Sequence, residues 1–253
     1  MLDVSWLFYA LLVGTGLIAG VINTLAGGGS NLTLPALMIM GLPADIANAT
    51  NRIGVFLQCV VGVKGFDRHG KLERNDIGPI LIPTLIGSGI GALFASYLPT
   101  SYLKPVLLFS MVVMALIILI KPSTIAPKEG EPHRKVNFKS SSWWALFVAG
   151  VYGGFVQAGV GFILIAALAG GLRYDLVRAN ALKMLCTGVL TSLALAIFIW
   201  RGQVMWIPGL VLAVGTMIGA QLGVKFALKV SQKTLKWFLF VMTLAASGAA
   251  LFF

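Results

Sequence analysis

Runs of about twenty apolar residues, such as Leu103 to Ile120 and Trp237 to Phe253, recur along this chain with few or no charges. Their length matches a hydrocarbon core of about 30 Å. Lipid offers no partner to backbone N–H and C=O groups, so each such run has to close its hydrogen bonds internally, as a helix. The composition agrees. Of 253 residues 58% are hydrophobic and 11% charged, with a mean hydropathy of +0.93, outside the range of soluble domains. The chain reads as an all-α, polytopic membrane protein. Thirty glycines point to close helix packing, which in membranes depends on small residues. The first apolar run lacks a basic leader, since Met1 to Ser5 carries only Asp3; it reads as a retained span rather than a signal peptide.

A formal charge of +11 would suit a polyanion, but the cations lie where membrane topology puts them, and no nucleic-acid partner is expected. The chain resembles itself at an offset near 132. "ANATNR" (47–52) meets "ANALKM" (179–184), "LIAGVIN" (17–23) meets "VYGGFVQ" (151–157), and the ladder Gly87, Gly91, Ala95 meets Gly215, Gly219, Gly223. These ladders read as packing faces. The two copies, 1–121 and 143–253, are divided by a polar, Pro- and Ser-rich cytoplasmic linker over 122–142.

Each half yields five helical segments, one of them short. The first has 6–24, 31–41, 45–64, 77–98 and 103–121; the second has 143–158, 161–171, 176–200, 206–224 and 235–253. With ten crossings the second half is inverted. The loops 64–76, 121–141, 171–178 and 225–236 then lie inside and hold fifteen of the nineteen Lys and Arg, against Lys104 and Arg201 outside. Re-entrant short segments would instead force the lysine-rich loop 225–236 outside. The positive-inside rule therefore favours two inverted repeats of five segments, with both termini outside.

The remaining cations, Arg52 and Lys183, fall inside spans. At 100° per residue Asn48, Asn51, Arg52 and Gln58 form one polar stripe about 120° wide. Asn180, Lys183 and Thr187 form its counterpart. A charge at the bilayer centre costs about 3 kcal/mol even on the gentler scale. All eight acids lie in loops or at helix ends, where Asp45 and Asp175 are expected to act as N-caps. With no buried counter-ion in view, a mobile anion is the expected partner of both cations; purely structural cations are the alternative.

"NTLAGGGSNLTLP" (23–35) supplies a second ingredient. Its glycines break the helix and free backbone N–H groups, with Ser30 or Asn31 expected to cap the next segment. A helix N-terminus at such a break is a ready anion site. "QAGVGF" (157–162) is its weaker copy. The expected substrate-binding set is thus Arg52, Lys183, Asn48, Asn51, Asn180, Gln157, Ser30, Gly28 and Gly29. No catalytic residue, metal or cofactor is expected: Cys59 and Cys186 read as small hydrophobes, His69 and His133 lie in separate loops, and no Ser/His, Cys/His or HExxH arrangement is present.

"AGVINTLAGGGSNLTLPALMIMGLPADIANATNR" (19–52) and "GGFVQAGVGFILI…DLVRANALKML" resemble the two signatures of the TauE/SafE sulfite exporter family, in order and across nearly the whole chain. The resemblance implies transport of sulfite or small organosulfonates, such as sulfoacetate, across a bacterial inner membrane. Members of that family are usually counted with seven or eight spans, against ten here. The expectation is an exporter working by alternating access, with a channel-like anion pathway or a non-transporting scaffold as alternatives. Its partners are a small anion and the bilayer, and the sequence leaves a homo-oligomer open.

Overall fold

The computed structural model describes residues 6–120, 134–138 and 140–231, with Thr234 and Trp237, apart from most side chains between 111 and 120. The segment expected over 235–253 and most of the linker lie outside the described residues. The described chain is helical, in the expected order. The elements are α1 (Trp6–Leu25), α2 (Ser30–Ile39), α3 (Ala44–Arg68), α4 (Ile77–Tyr97), α5 (Thr100–Ile120), α6 (Ser141–Phe155), α7 (Val160–Ile165), α8 (Leu176–Trp200) and α9 (Trp206–Lys229). A single turn, Arg74–Asp76, precedes α4, and α7 runs on into a wider turn over Ala166–Gly171. Among the described residues five helices are long and apolar enough to cross a membrane: Trp6–Leu25, Ala44–Arg68, Arg74–Tyr97, Leu176–Trp200 and Trp206–Lys229.

Both breaks end where a left-handed backbone is required. Gly27 (φ 99°) stops the chain after α1, and Gln157 (φ 67°) and Gly159 (φ 78°) stop it after α6. Helix α2, with 10 residues, rises only about 15 Å. Pro35 inside it removes the N–H that would have bonded Asn31 O.

The halves interleave rather than sit side by side. Helix α1 packs along α9 and α4 along α6, while α3 also contacts α9, α8 also contacts α4, and α3 meets α8. Glycine makes the first two contacts. A Cβ added to Gly91 would lie 2.0 Å from Val151 O, one on Gly154 2.2 Å from Ser88 O, one on Gly215 2.1 Å from Val13 O and one on Gly20 2.4 Å from Thr216 O. The ladders are thus packing faces, as expected. Large side chains point the other way: Ile82, Ile86, Ile90 and Phe94 on α4, and Leu210, Val214, Ile218 and Leu222 on α9, are exposed. Small residues inside and large apolar ones outside suit lipid as the surrounding solvent.

The two expected caps differ. Asp175 accepts from the N–H groups of Val177 and Arg178 and caps α8. Asp45 does not cap α3: the cap residue is Pro43, and Asp45 lies inside the first turn without a cap bond. Asp45 sits two positions past the cap residue, away from the position whose side chain meets the N–H groups of the second and third helical residues. We expect Asp175→Ala to cost about 1 kcal/mol and Asp45→Ala to stay within about 0.5 kcal/mol, measured as thermal midpoints of the purified variants.

Candidate functional site

The two breaks cross at the centre of the bundle. A Cβ on Gly27 would sit 2.3 Å from Gly161 Cα, and one on Gly161 would sit 2.3 Å from Gly27 Cα. Gly28 faces the Phe162 ring, 2.6 Å from where its Cβ would be, and Gly29 abuts Ala19 O at 2.3 Å. All four glycines therefore serve close approach. The cap residue of α2 is Gly29, with no side-chain cap bond. The expected Ser30 or Asn31 cap is not formed, because both residues already lie inside the first turn. The N–H groups of Gly28, Gly29 and Ser30 have no backbone partner. Beside them Asn31, 3% exposed, has neither amide atom hydrogen-bonded.

The stripe on α3 faces two ways. Asn51 donates to Ser30 Oγ at 3.2 Å and accepts from Thr33 Oγ1 at 2.6 Å, which fixes α2 to α3. Asn48 donates to Phe155 O at 2.9 Å. Arg52, fully buried, donates to Gly153 O at 3.0 Å and to Gly154 O at 2.6 Å, with Phe155 O farther off at 3.5 Å. Its guanidinium lies 4.9 Å from the centre of the Phe198 ring, within reach of a cation–π contact, and its Nε–H is unpaired.

Helix α8 repeats the pattern. Lys183, 1% exposed, donates to Asn23 O at 2.7 Å, Thr24 O at 2.8 Å and Asn180 Oδ1 at 2.8 Å. All three ammonium protons are engaged. Asn180 Nδ2 and Gln157 Oε1 are unpaired, and Gln157 Nε2 donates to Thr191 Oγ1 at 2.8 Å. Each cation therefore holds the last carbonyls of the broken helix in the other half: Arg52 holds α6, and Lys183 holds α1.

A helix C-terminus carries about −0.5 of an elementary charge. Two of them offset about half of the charge on Arg52 and Lys183, leaving about one positive charge at the crossing. Among the described residues neither cation bonds a carboxylate, and neither side chain reaches the surface.

All nine expected site residues lie on the elements that meet here, but they play different parts. Asn51 and Lys183 are fully engaged in structural bonds, while Asn48, Arg52, Asn180 and Gln157 each keep one unpaired polar atom. The sequence offers Asn31 only as a possible cap of α2, and it gives no part in the site to Thr33, Thr191, Phe198 or the carbonyls of 23–24 and 153–155. Position at the end of a broken helix was the available signal for those carbonyls.

Two broken helices crossing at a polar, positively biased centre inside an all-helical bundle define a membrane transporter. The chain belongs to the family described as "Sulfite exporter TauE/SafE", whose model matches residues 12–250. It is 30% identical to a "Probable membrane transporter protein" of Haemophilus influenzae, over 90% of this chain and 88% of that one. It is 28% identical to the Escherichia coli K12 "Probable membrane transporter protein YfcA", over 98% and 91%. A Sinorhizobium relative, "Probable membrane transporter protein ORF9", is 27% identical over 97% and 93%. Fold, family and relatives agree on a multi-pass membrane transporter.

Proposed function

We propose that this chain exports a small sulfur-containing oxyanion, sulfite or an organosulfonate, across a bacterial inner membrane by alternating access. The anion accepts hydrogen bonds from the free N–H groups of Gly28, Gly29 and Ser30, from Asn31, and from Arg52 Nε. Lys183 contributes charge rather than contact. The fold is read as two inverted repeats with both termini outside, supported by antiparallel use of one motif: Arg52 and Lys183 exchange helix ends, and Gly27 and Gly159 share a left-handed backbone.

The observation that carries this reading is Asn31. A buried amide with no partner costs about 1–3 kcal/mol, here beside a free helix N-terminus that favours anions. A carrier fits better than a channel, because Arg52, Asn31, Gln157 and Asn180 are all at most 3% exposed. Direction follows from the membrane potential. Moving one charge through 100 mV is worth about 2.3 kcal/mol, so an outgoing dianion gains about 4.6 kcal/mol with no coupled ion. The halves cannot rock as two blocks, since α1 is seated on α9 and α4 on α6; the moving bodies are these mixed pairs relative to α3 and α8.

Asn31→Leu tests the site without disturbing the fold, because it removes no hydrogen bond within the protein. In liposomes offered sulfite, thiosulfate, sulfoacetate and sulfate, we expect the parent to carry one of the sulfur anions in a saturable way. The variant should lose at least tenfold in kcat/KM, at about 1.4 kcal/mol per decade, with its thermal midpoint unchanged. A variant that carries the best substrate at the parent's rate would remove the α2 N-terminus as the site.

A further inference from the structure

At one end of the bundle the loop between α3 and α4 meets the loop between α7 and α8. Arg178 is bonded to Glu73, and the Tyr174 hydroxyl donates to Asp76. Both pairs join one half of the chain to the other. Arg178 is also held by Asp175, with Nε 3.3 Å from Oδ2. Tyr174 is 1% exposed, and burial, followed by its bond to Asp76, raises its phenol above the ordinary value, so that it stays a donor. Arg74, in the same loop as Glu73, instead pairs with Asp67 of its own half at 2.9 Å.

Helices α3 and α8 run antiparallel, so their other ends meet at the opposite end of the bundle. There the halves are joined without an ion pair among the described residues. The Met205 N–H donates to Thr50 Oγ1 at 3.0 Å, Gln203 Nε2 donates to Ser96 O at 3.4 Å, and Arg201 lies 4.2 Å over the Tyr97 ring. The candidate site, at the N-terminus of α2 beside Arg52 of α3 and Lys183 of α8, lies between these two ends and is closed to solvent. An alternating carrier has to open one end while the other stays shut. One end carries clasps on carboxylates, and the other, among the described residues, only hydrogen bonds and a cation over a ring.

We propose that the Glu73–Arg178 and Asp76–Tyr174 pairs are the gate that shuts the transport path on the charge-rich face, an inference that rests on the carrier reading above. Opening toward that face requires both pairs to part. Opening toward the other face leaves them intact, so the unloaded carrier opens more readily there.

A reporter Asn31→Cys, in a background of Cys59→Ala and Cys186→Ala, places a thiol at the site. A membrane-impermeant maleimide is added to cells or to inverted vesicles containing the full chain, so that each face is read separately. Glu73→Gln and Tyr174→Phe should each speed labelling from the charge-rich face about fivefold, the scale of losing one partly exposed polar contact. Arg74→Gln should leave it unchanged. Tyr174→Phe removes one oxygen and keeps the ring, which guards against a folding artefact. Unchanged labelling in both gate variants, or an equal rise with Arg74→Gln, would overturn the gate. Anion flux by the parent without the reporter separates the two ideas. Responsive labelling with no flux supports the clasp and removes the carrier reading; flux with unresponsive labelling removes the gate alone.

Discussion

Arg52→Ala is expected to lower the thermal midpoint of the detergent-solubilised protein by about 10 °C. The side chain supplies the hydrogen bonds to Gly153 O and Gly154 O, and each buried acceptor left alone costs about 1–3 kcal/mol. The emptied space above Phe198 adds a cavity penalty. The sum, about 4 kcal/mol, is a large part of the 5–15 kcal/mol that a folded protein commands. At about 2–4 °C per kcal/mol for a chain near this size, it gives the stated drop. Arg52→Lys should fall between parent and alanine, because a compact ammonium cannot span the two carbonyls that the planar fork reaches together. Equal midpoints for Arg52→Ala and the parent would mean that the cation does not hold α6 against α3. Loss of flux by Arg52→Ala alone cannot separate binding from folding, which is why Asn31→Leu carries the functional test.

Gly161→Ala should be more damaging still. Its methyl would lie 2.3 Å from Gly27 Cα and 2.9 Å from Gly27 O. These are backbone atoms, with no rotamer to yield. Shifting them separates the two breaks, and folded protein in the membrane fraction should fall at least tenfold by fluorescence-detected size exclusion. Gly14→Ala and Gly78→Ala are the matched controls, since nothing lies within 4 Å of an added Cβ at either. In helices such changes are worth up to about 1 kcal/mol of stabilisation. If Gly161→Ala were as abundant as these, the crossing of the breaks would not be a constraint.

Helix periodicity and the glycine breaks made the described elements readable to within about five residues, because in lipid a helix is the only outlet for an apolar run. The polar stripe was readable too: charges in such runs are few, and each must have a reason. What Arg52 and Lys183 bond was not readable. Their acceptors are main-chain carbonyls, mostly of Asn23, Thr24, Gly153 and Gly154, and any residue type supplies a carbonyl. The free amide of Asn31 escaped notice for a related reason. Asn just after glycines usually means a cap, and only the observed phase of α2, with Gly29 as the cap residue, turns it into an unpaired group. Asp45 and Asp175 look alike in sequence, yet two residues of phase decide that only Asp175 caps. The exchange of α1 and α4 between halves follows from which glycine faces fit, and similarity between the halves says nothing of that.

The seating of α1 on α9 also governs how the molecule is made. Gly20 meets Thr216, some two hundred residues later in the chain. At about 5–20 residues per second of synthesis, the first helix waits in the bilayer for roughly 10 to 40 s before its groove is filled. During that interval its glycine face is open to lipid or to any other small-residue helix nearby. Assembly is therefore completed late, and a ribosome that stalls before α9 leaves a stump with an unfilled seam.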